Sequence, residues 1–232
     1  MSRDAARGQP VLLVVAKAPV PGQAKTRLAA AVGAVGAAEI AAAALLDTLE
    51  VVRELGTPSV VALTGQLEHC ARRHEIQEAL AAHGVIGQRG TGLGERLANA
   101  HADAAGFAGA DAVVQVGMDT PQLTADLLRG AITTLDGADA AMGPAADGGW
   151  WCLAVRDAAL AHCLAAVPMS RPDTGVRTRA ALERAGVRVA RLPELSDVDT
   201  LADAVAVAGL LPGSRFAAAV AAHAGLTGGV PQ

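Results

Sequence analysis

From residue 11 onward, short apolar runs rich in Val, Ala and Leu alternate with helical stretches almost to the end of the chain, and this alternation restricts the fold more than any other feature. The strand-like runs are VLLVVA (11–16), SVVALT (59–64), a short VIGQ, AVVQVGM (112–118), ADAAMG (138–143), WWCLAV (150–155) and VRVARL (187–192). Helices are predicted near 34–55, 66–83, 93–105, 124–135 and 174–185, with more beyond 199. Strands that are apolar throughout need cover on both faces, and repeated βα units give parallel neighbours, so the pattern predicts a mainly parallel sheet between helical layers. One pair breaks the rule. ADAAMG and WWCLAV are joined by PAADGG, too short for a crossover helix, which predicts an antiparallel or splayed pair and hence a mixed sheet. The first βα turn, AKAPVPGQAKTRL, also lacks the three-glycine fingerprint of a dinucleotide-binding fold.

A chain of 232 residues fits one domain spanning 1–232, with an ordered core of about 10–224 and a mobile tail, since single cores grow to about 250 residues before they divide. With 2% aromatic residues and no tyrosine, the core must be built from Ala, Val and Leu. A net charge of −4 without a basic run argues against nucleic acid as a partner. No stretch reaches the roughly 18 uninterrupted apolar residues that cross a bilayer, and the first ten residues lack a signal-type apolar segment, so a cytoplasmic location and no membrane partner are expected. Cys70, Cys152 and Cys163 have no metal or redox spacing and read as buried thiols. The histidines form no cluster, and there is no GxSxG elbow.

Sheets of this kind bind ligands at the carboxyl ends of their strands, and four constellations lie there. The first is the turn after 11–16. Of 19 basic side chains only Lys17 and Lys25 are lysines, and both are in this turn. Ala16, Lys17, Pro19, Gly22 and Thr26, with the cations Lys25 and Arg27, read as an anion cradle of backbone N–H groups and charge, or else as a rigid loop with solvated side chains. The second is GMDTP (117–121), which places Asp119 one residue past a buried strand, as a Mg²⁺ ligand or an Asx turn. The third is SDVDT (196–200), where Asp197 and Asp199 share a direction in extended chain, or one of them caps a helix. The fourth is GPAADGGWW (143–151), where Asp147 precedes two glycines and Trp150 or Trp151 forms either a stacking wall or core. The loop QRGTGLGER (88–96) adds Gly94 and Arg96 as further phosphate or acceptor contacts.

Taken in order, AKAPVPGQAKTRL, the LGER loop, GMDTP, GPAADGGWW and SDVDT resemble the bacterial DUF2064 family, also called the selenodomain-associated transferase 1 family, over residues 11 to 208. That family resembles a branch of the nucleotide-diphospho-sugar transferase (GT-A) superfamily, near the phospholactate guanylyltransferase-like proteins. The resemblance implies a three-layer α/β/α sandwich with a Rossmann-like mixed central sheet. It also implies phosphate binding by Lys25 and Arg27 and Mg²⁺ or Mn²⁺ binding by Asp119 and Asp199, with Asp197 as the alternate. The chain departs from the family pattern at Met118, at Trp150 and in PMSRPDTG (168–175), the last being where an acceptor would bind.

The activity expected from this set is nucleotidyl transfer from a nucleoside triphosphate to a small phosphorylated or phosphonate acceptor with release of pyrophosphate. Such a nucleophile is already ionised, so no strong base is needed and catalysis becomes positioning plus charge neutralisation by Mg²⁺, Lys25 and Arg27. Glycosyl transfer from a nucleotide-sugar is the alternative. Its hydroxyl acceptor needs a base, for which Asp147 is the candidate.

Overall fold

The structure, a computed structural model, describes residues 8–23 and 25–225, with Thr26 as backbone only. Seven strands among the described residues form one sheet: β1 (Val11–Lys17), β2 (Ser59–Thr64), β3 (Gly84–Gly87), β4 (Val113–Gly117), β5 (Ala140–Pro144), β6 (Trp150–Val155) and β7 (Val189–Arg191). Their order is β3-β2-β1-β4-β6-β5-β7. All run parallel except β6, which is antiparallel to both β4 and β5. The mixed sheet expected from the short PAADGG connection is therefore present, with a register irregularity between Gly143 and Pro144 just before that turn. Strand β1 shows why apolar runs were required on both faces. Leu12, Val14 and Ala16 are buried in one cluster, Val11 and Leu13 in the other, as the two-residue period of a strand demands.

Helices α1 (Thr26–Glu54), α2 (Arg73–Leu80) and α4 (Ala125–Thr134) cover the first face. The second is covered by α3 (Leu93–Ala108), the 3₁₀ helix Ala158–Ala166 and α5 (Thr174–Arg184). Outside α1, helices α6 (Leu201–Gly209) and α7 (Arg215–Ala224) add a third cluster built on Leu28, Ile40, Val198 and Phe216. Helix α1 is thus buried on two sides, against the sheet and against α7, which explains why it is apolar nearly all round. By length and composition Arg27–Glu54 would suffice to cross a membrane; here it is a core helix.

Strands 59–64 and 150–155 coincide with their expected bounds, but three helical expectations need correction. The helix expected from 34 starts at Thr26, because the chain passes through a non-helical Gly33 (φ 76, ψ 163) and the turns before it are helical too. The helix expected over 66–83 divides into a 3₁₀ turn, Leu67–His69, and α2. Between them Arg72 is left-handed (φ 51), and its guanidinium pairs with Glu39 of α1 at 2.9 Å. The 3₁₀ helix Ala158–Ala166 was not anticipated. It packs on α3 so closely that a side chain on Gly94 would run into the Leu164 carbonyl. The tail 226–232 and the Thr26 side chain lie outside the described residues.

Candidate active site

The parallel strands all end at one edge of the sheet. The strand order turns there between β1 and β4, which opens the crevice where α/β sheets hold ligands. Two connections rise on either side of it: residues 18–25, leading into α1, and 118–124, leading into α4. A third, 192–200, crosses from β7 at the far side and ends at α6. Val198 anchors this strap by inserting into the α1–α6–α7 cluster at 2% exposure. Its backbone N–H donates to the Asp119 carbonyl at 3.2 Å. The Gln122 side-chain amide adds a hydrogen bond to the Ser196 carbonyl.

Lys25 closes the arrangement. Its ammonium lies 3.0 Å from Asp119 Oδ2 and donates to the Val198 carbonyl at 2.6 Å, with only 13% of the side chain exposed. Two residues later Arg27 pairs with Asp199 Oδ2 at 2.6 Å. Residues separated by about 170 positions in sequence thereby converge. Helix α6 begins at Thr200, which forms a capping box with Asp203, so neither Asp197 nor Asp199 is spent as a cap. The cap of α4 is likewise Thr124 and not Asp119.

Asp147 joins from the β5–β6 turn. Its Oδ1 accepts from the Gly149 N–H at 2.7 Å. The turn is fixed to α5 by a hydrogen bond from the Gly175 N–H to the Gly148 carbonyl, 2.8 Å. Gly148 has φ +88, and any side chain there would overlap the Pro172 carbonyl. Burial pushes the Asp197 carboxyl above its ordinary range, and the negative charge of Asp147 pushes it further, with Lys25 working the other way.

The remaining candidates divide. Lys17 is exposed and its ammonium donates to the Gln23 carbonyl at 2.6 Å, bracing its own turn. Ala16 and Pro19 are buried, with carbonyls taken by the Gln88 side chain (2.9 Å) and the Ala71 N–H (3.0 Å), while Gly22 supplies the left-handed residue of the turn (φ 77). Gly94 is held to its identity by packing on Leu164 and also lines a cavity of about 410 Å³, with Leu93, Glu95, Val167, Met169 and Ser170. Arg96, two residues on, has a buried Nε without a hydrogen-bond partner among the described residues. Trp151 is core: it is 3% exposed, lies over Gly143 and donates to the Pro193 carbonyl at 2.9 Å, so it has no face to offer a ligand. Trp150 is partly exposed and bonded to Thr178 Oγ1 at 3.2 Å. Sequence reasoning did not single out Val198, Gln122 or Gln88; the last ties the ends of β1 and β2 through the Ala16 and Ala62 carbonyls.

Among the described residues no group of three or more His, Cys, Asp or Glu side chains is arranged to hold a metal ion. Mg²⁺ takes one or two protein carboxylates and completes its shell with water and phosphate, so Asp119 and either Asp199 or Asp197 are the residues that could hold one. In this structure a cation already sits there, the Lys25 ammonium between Asp119 and the Val198 carbonyl.

No curated protein matches the chain. Among solved structures, a Desulfovibrio desulfuricans G20 protein provisionally named a nucleotide-diphospho-sugar transferase is 27% identical, with a TM-score of 0.83 over 94% of this chain and 96% of that one. A nucleotidyl transferase from Methanothermobacter thermautotroptrophicus is 18% identical, with a TM-score of 0.54 over 86% of this chain and 96% of that one. Rv0371C from Mycobacterium tuberculosis H37Rv, in complex with manganese, is 21% identical, with a TM-score of 0.52 over 84% and 96%. The fold is accordingly the three-layer, mixed-sheet fold of nucleotide-diphospho-sugar transferases. A family model described as "Uncharacterized protein conserved in bacteria (DUF2064)" matches residues 45–171, a span that includes Asp119 and Asp147 but neither Lys25 nor Asp199. This match takes in more than half of the sequence, and the chain belongs to the DUF2064 family.

Proposed function

We propose that the protein is a nucleotidyltransferase that uses Mg²⁺ or Mn²⁺ to join a nucleoside monophosphate, taken from a nucleoside triphosphate, to a small phosphorylated or phosphonate acceptor. The observation that carries this reading is the Lys25 ammonium, bound at once to Asp119 and to the Val198 carbonyl over the β1–β4 crevice. An acceptor oxygen attacks the α-phosphorus, a new P–O bond forms, the bond to the β-phosphate bridging oxygen breaks, and pyrophosphate leaves with that electron pair. Lys25 and Arg27 neutralise charge on the phosphates, and Arg96 supplies a further cationic contact from the start of α3. Asp119 and Asp199, or Asp197 in its place, hold the divalent ion, which when bound neutralises phosphate charge and orients the triphosphate. The fold relationship to a named nucleotidyl transferase and to a manganese-bound protein supports both halves of the reading.

Glycosyl transfer from a nucleotide-sugar is the second reading. The name of the Desulfovibrio relative favours it, as does Asp197, whose carboxyl is pushed up by burial and by the neighbouring Asp147 charge and so suits a group that accepts a proton from an acceptor hydroxyl. Incubation with each nucleoside triphosphate plus phosphorylated acceptors, assayed for pyrophosphate, is compared with incubation with nucleotide-sugars, assayed for free nucleoside diphosphate. Metal-dependent pyrophosphate release that is lost in Lys25→Ala supports nucleotidyl transfer. Nucleoside diphosphate release alone replaces it with glycosyl transfer.

A further inference from the structure

We propose that Lys25 and Arg27 are resident counter-ions of the metal-binding carboxylates, so that a divalent cation gains full use of Asp119 and Asp199 only when phosphate draws these two side chains away. The inference rests on the nucleotidyl-transfer reading and adds to it a rule for how the site fills. Each cation holds one carboxylate: Lys25 is 3.0 Å from Asp119, Arg27 is 2.6 Å from Asp199. An ammonium at that distance cancels much of the field that would attract a second cation. Phosphate oxygens are strong competitors for both groups, as acceptors of charge-assisted hydrogen bonds. The exchange then conserves charge, because the cations pass to the phosphates as the divalent ion takes the carboxylates.

The backbone is built to let this happen. Lys25 and Arg27 lie between Gly22 (φ 77) and Gly33 (φ 76, ψ 163), and neither glycine has any other atom within 4 Å of where a side chain would begin. Lys25 is itself left-handed (φ 48, ψ 55), a conformation that side-chain-bearing residues rarely adopt and that its two polar contacts hold in place. Lys17 provides the contrast: it has the same charge in the same turn, but among the described residues its ammonium holds the Gln23 carbonyl and no carboxylate.

The test is Mn²⁺ binding followed by electron paramagnetic resonance, first without any phosphate compound. Lys25→Ala and Arg27→Gln should bind free Mn²⁺ about tenfold more tightly than the wild type, and Lys17→Ala should stay within about twofold of it. Inorganic pyrophosphate should strengthen Mn²⁺ binding to the wild type by more than about tenfold and give a smaller gain in Lys25→Ala. Melting curves accompany each variant, and Lys25→Met, which keeps the stem, replaces Lys25→Ala if that variant does not fold. Unchanged Mn²⁺ affinity in the Lys25 variant, or an equal change in Lys17→Ala, overturns the counter-ion role and leaves the nucleotidyl reading intact. Failure of the wild type to bind Mn²⁺ even with pyrophosphate removes both.

Discussion

Lys25 adopts a backbone conformation that few side chains tolerate and has its side chain largely covered, yet the groups it binds, the Asp119 carboxylate and the Val198 carbonyl, lie on two other connections of the sheet. A residue placed this way contributes to the site more than to the folded state, because exposed partners such as Asp119 at 49% return little stability. Lys25→Ala is expected to lower turnover by about 10²–10³-fold while the melting temperature moves by only a few degrees, measured by pyrophosphate release and calorimetry. Arg96 makes a complementary case. A buried guanidinium N–H without an acceptor is a cost that a bound anion removes. Arg96→Gln should raise the KM for a phosphate-bearing substrate by about tenfold or more, without loss of stability, in steady-state kinetics. An Arg96→Gln enzyme with unchanged KM for every phosphate-bearing substrate would assign this side chain to packing alone.

At the scale of elements, α3 joins the cavity-lining turn to the sheet, and its two unusual residues make separable predictions. Gly94 sits where a methyl group would meet the Leu164 carbonyl, so Gly94→Ala should destabilise by about 1–3 kcal/mol in urea unfolding although alanine is the better helix former. Nearer the middle of the helix, His101 is fully buried, with Nε2 bonded to Gln115 Oε1 at 2.9 Å and Nδ1 unpartnered. Burial pushes its pKa down to about 4, only partly offset by the bond to Gln115. The unfolded chain, with a pKa near 6.5, therefore binds the extra proton: stability is complete above about pH 6.5 and drains away as the pH falls toward 4. Urea unfolding should show a loss of about 2 kcal/mol between pH 7 and pH 5 from this group, and His101→Gln should flatten that slope.

The same elements show what the sequence could disclose. Strands 59–64 and 150–155 were readable to the residue because strands covered on both faces are apolar throughout and end abruptly. The antiparallel β6 followed from the length of PAADGG alone. Lys25, Asp119 and Asp199 stood out as charged residues at strand ends, where the sequence left a site, a turn or a cap equally open; what the structure adds is their pairing, Lys25 with Asp119 and Arg27 with Asp199. The Val198 carbonyl did not stand out, since a backbone acceptor leaves no trace in residue identity. Trp151 was ambiguous for a related reason: an indole beside a Gly-rich turn looks the same whether it faces a ligand or lies over Gly143. The start of α1 was placed late because Gly33 reads as a boundary, whereas the chain crosses it and stays helical on both sides.

For the molecule as a whole, α1 joins the sheet to the outer helices α6 and α7. It covers one face of the sheet, carries the site cations at its first turn, and is itself covered by α7 through Phe216, which is fully buried. Phe216→Ala should cost about 3–5 kcal/mol, since an aromatic side chain leaves a cavity that a short helix closes only partly; thermal unfolding with a dye for exposed apolar surface would register it. Because the outer cluster also contains Val198, the same substitution should loosen the strap and weaken Mn²⁺ binding in the presence of pyrophosphate.

Elsewhere the basic residues are arginines, which leaves the two lysine side chains at 17 and 25, one open to water and one 13% exposed. A reagent that acylates amines therefore has a built-in reference and a built-in reporter within nine residues of each other. Position 17 should react at once in every state, and the ratio of label at 25 to label at 17, read by mass spectrometry of one peptide, becomes a clock for how often the ion pair with Asp119 comes apart.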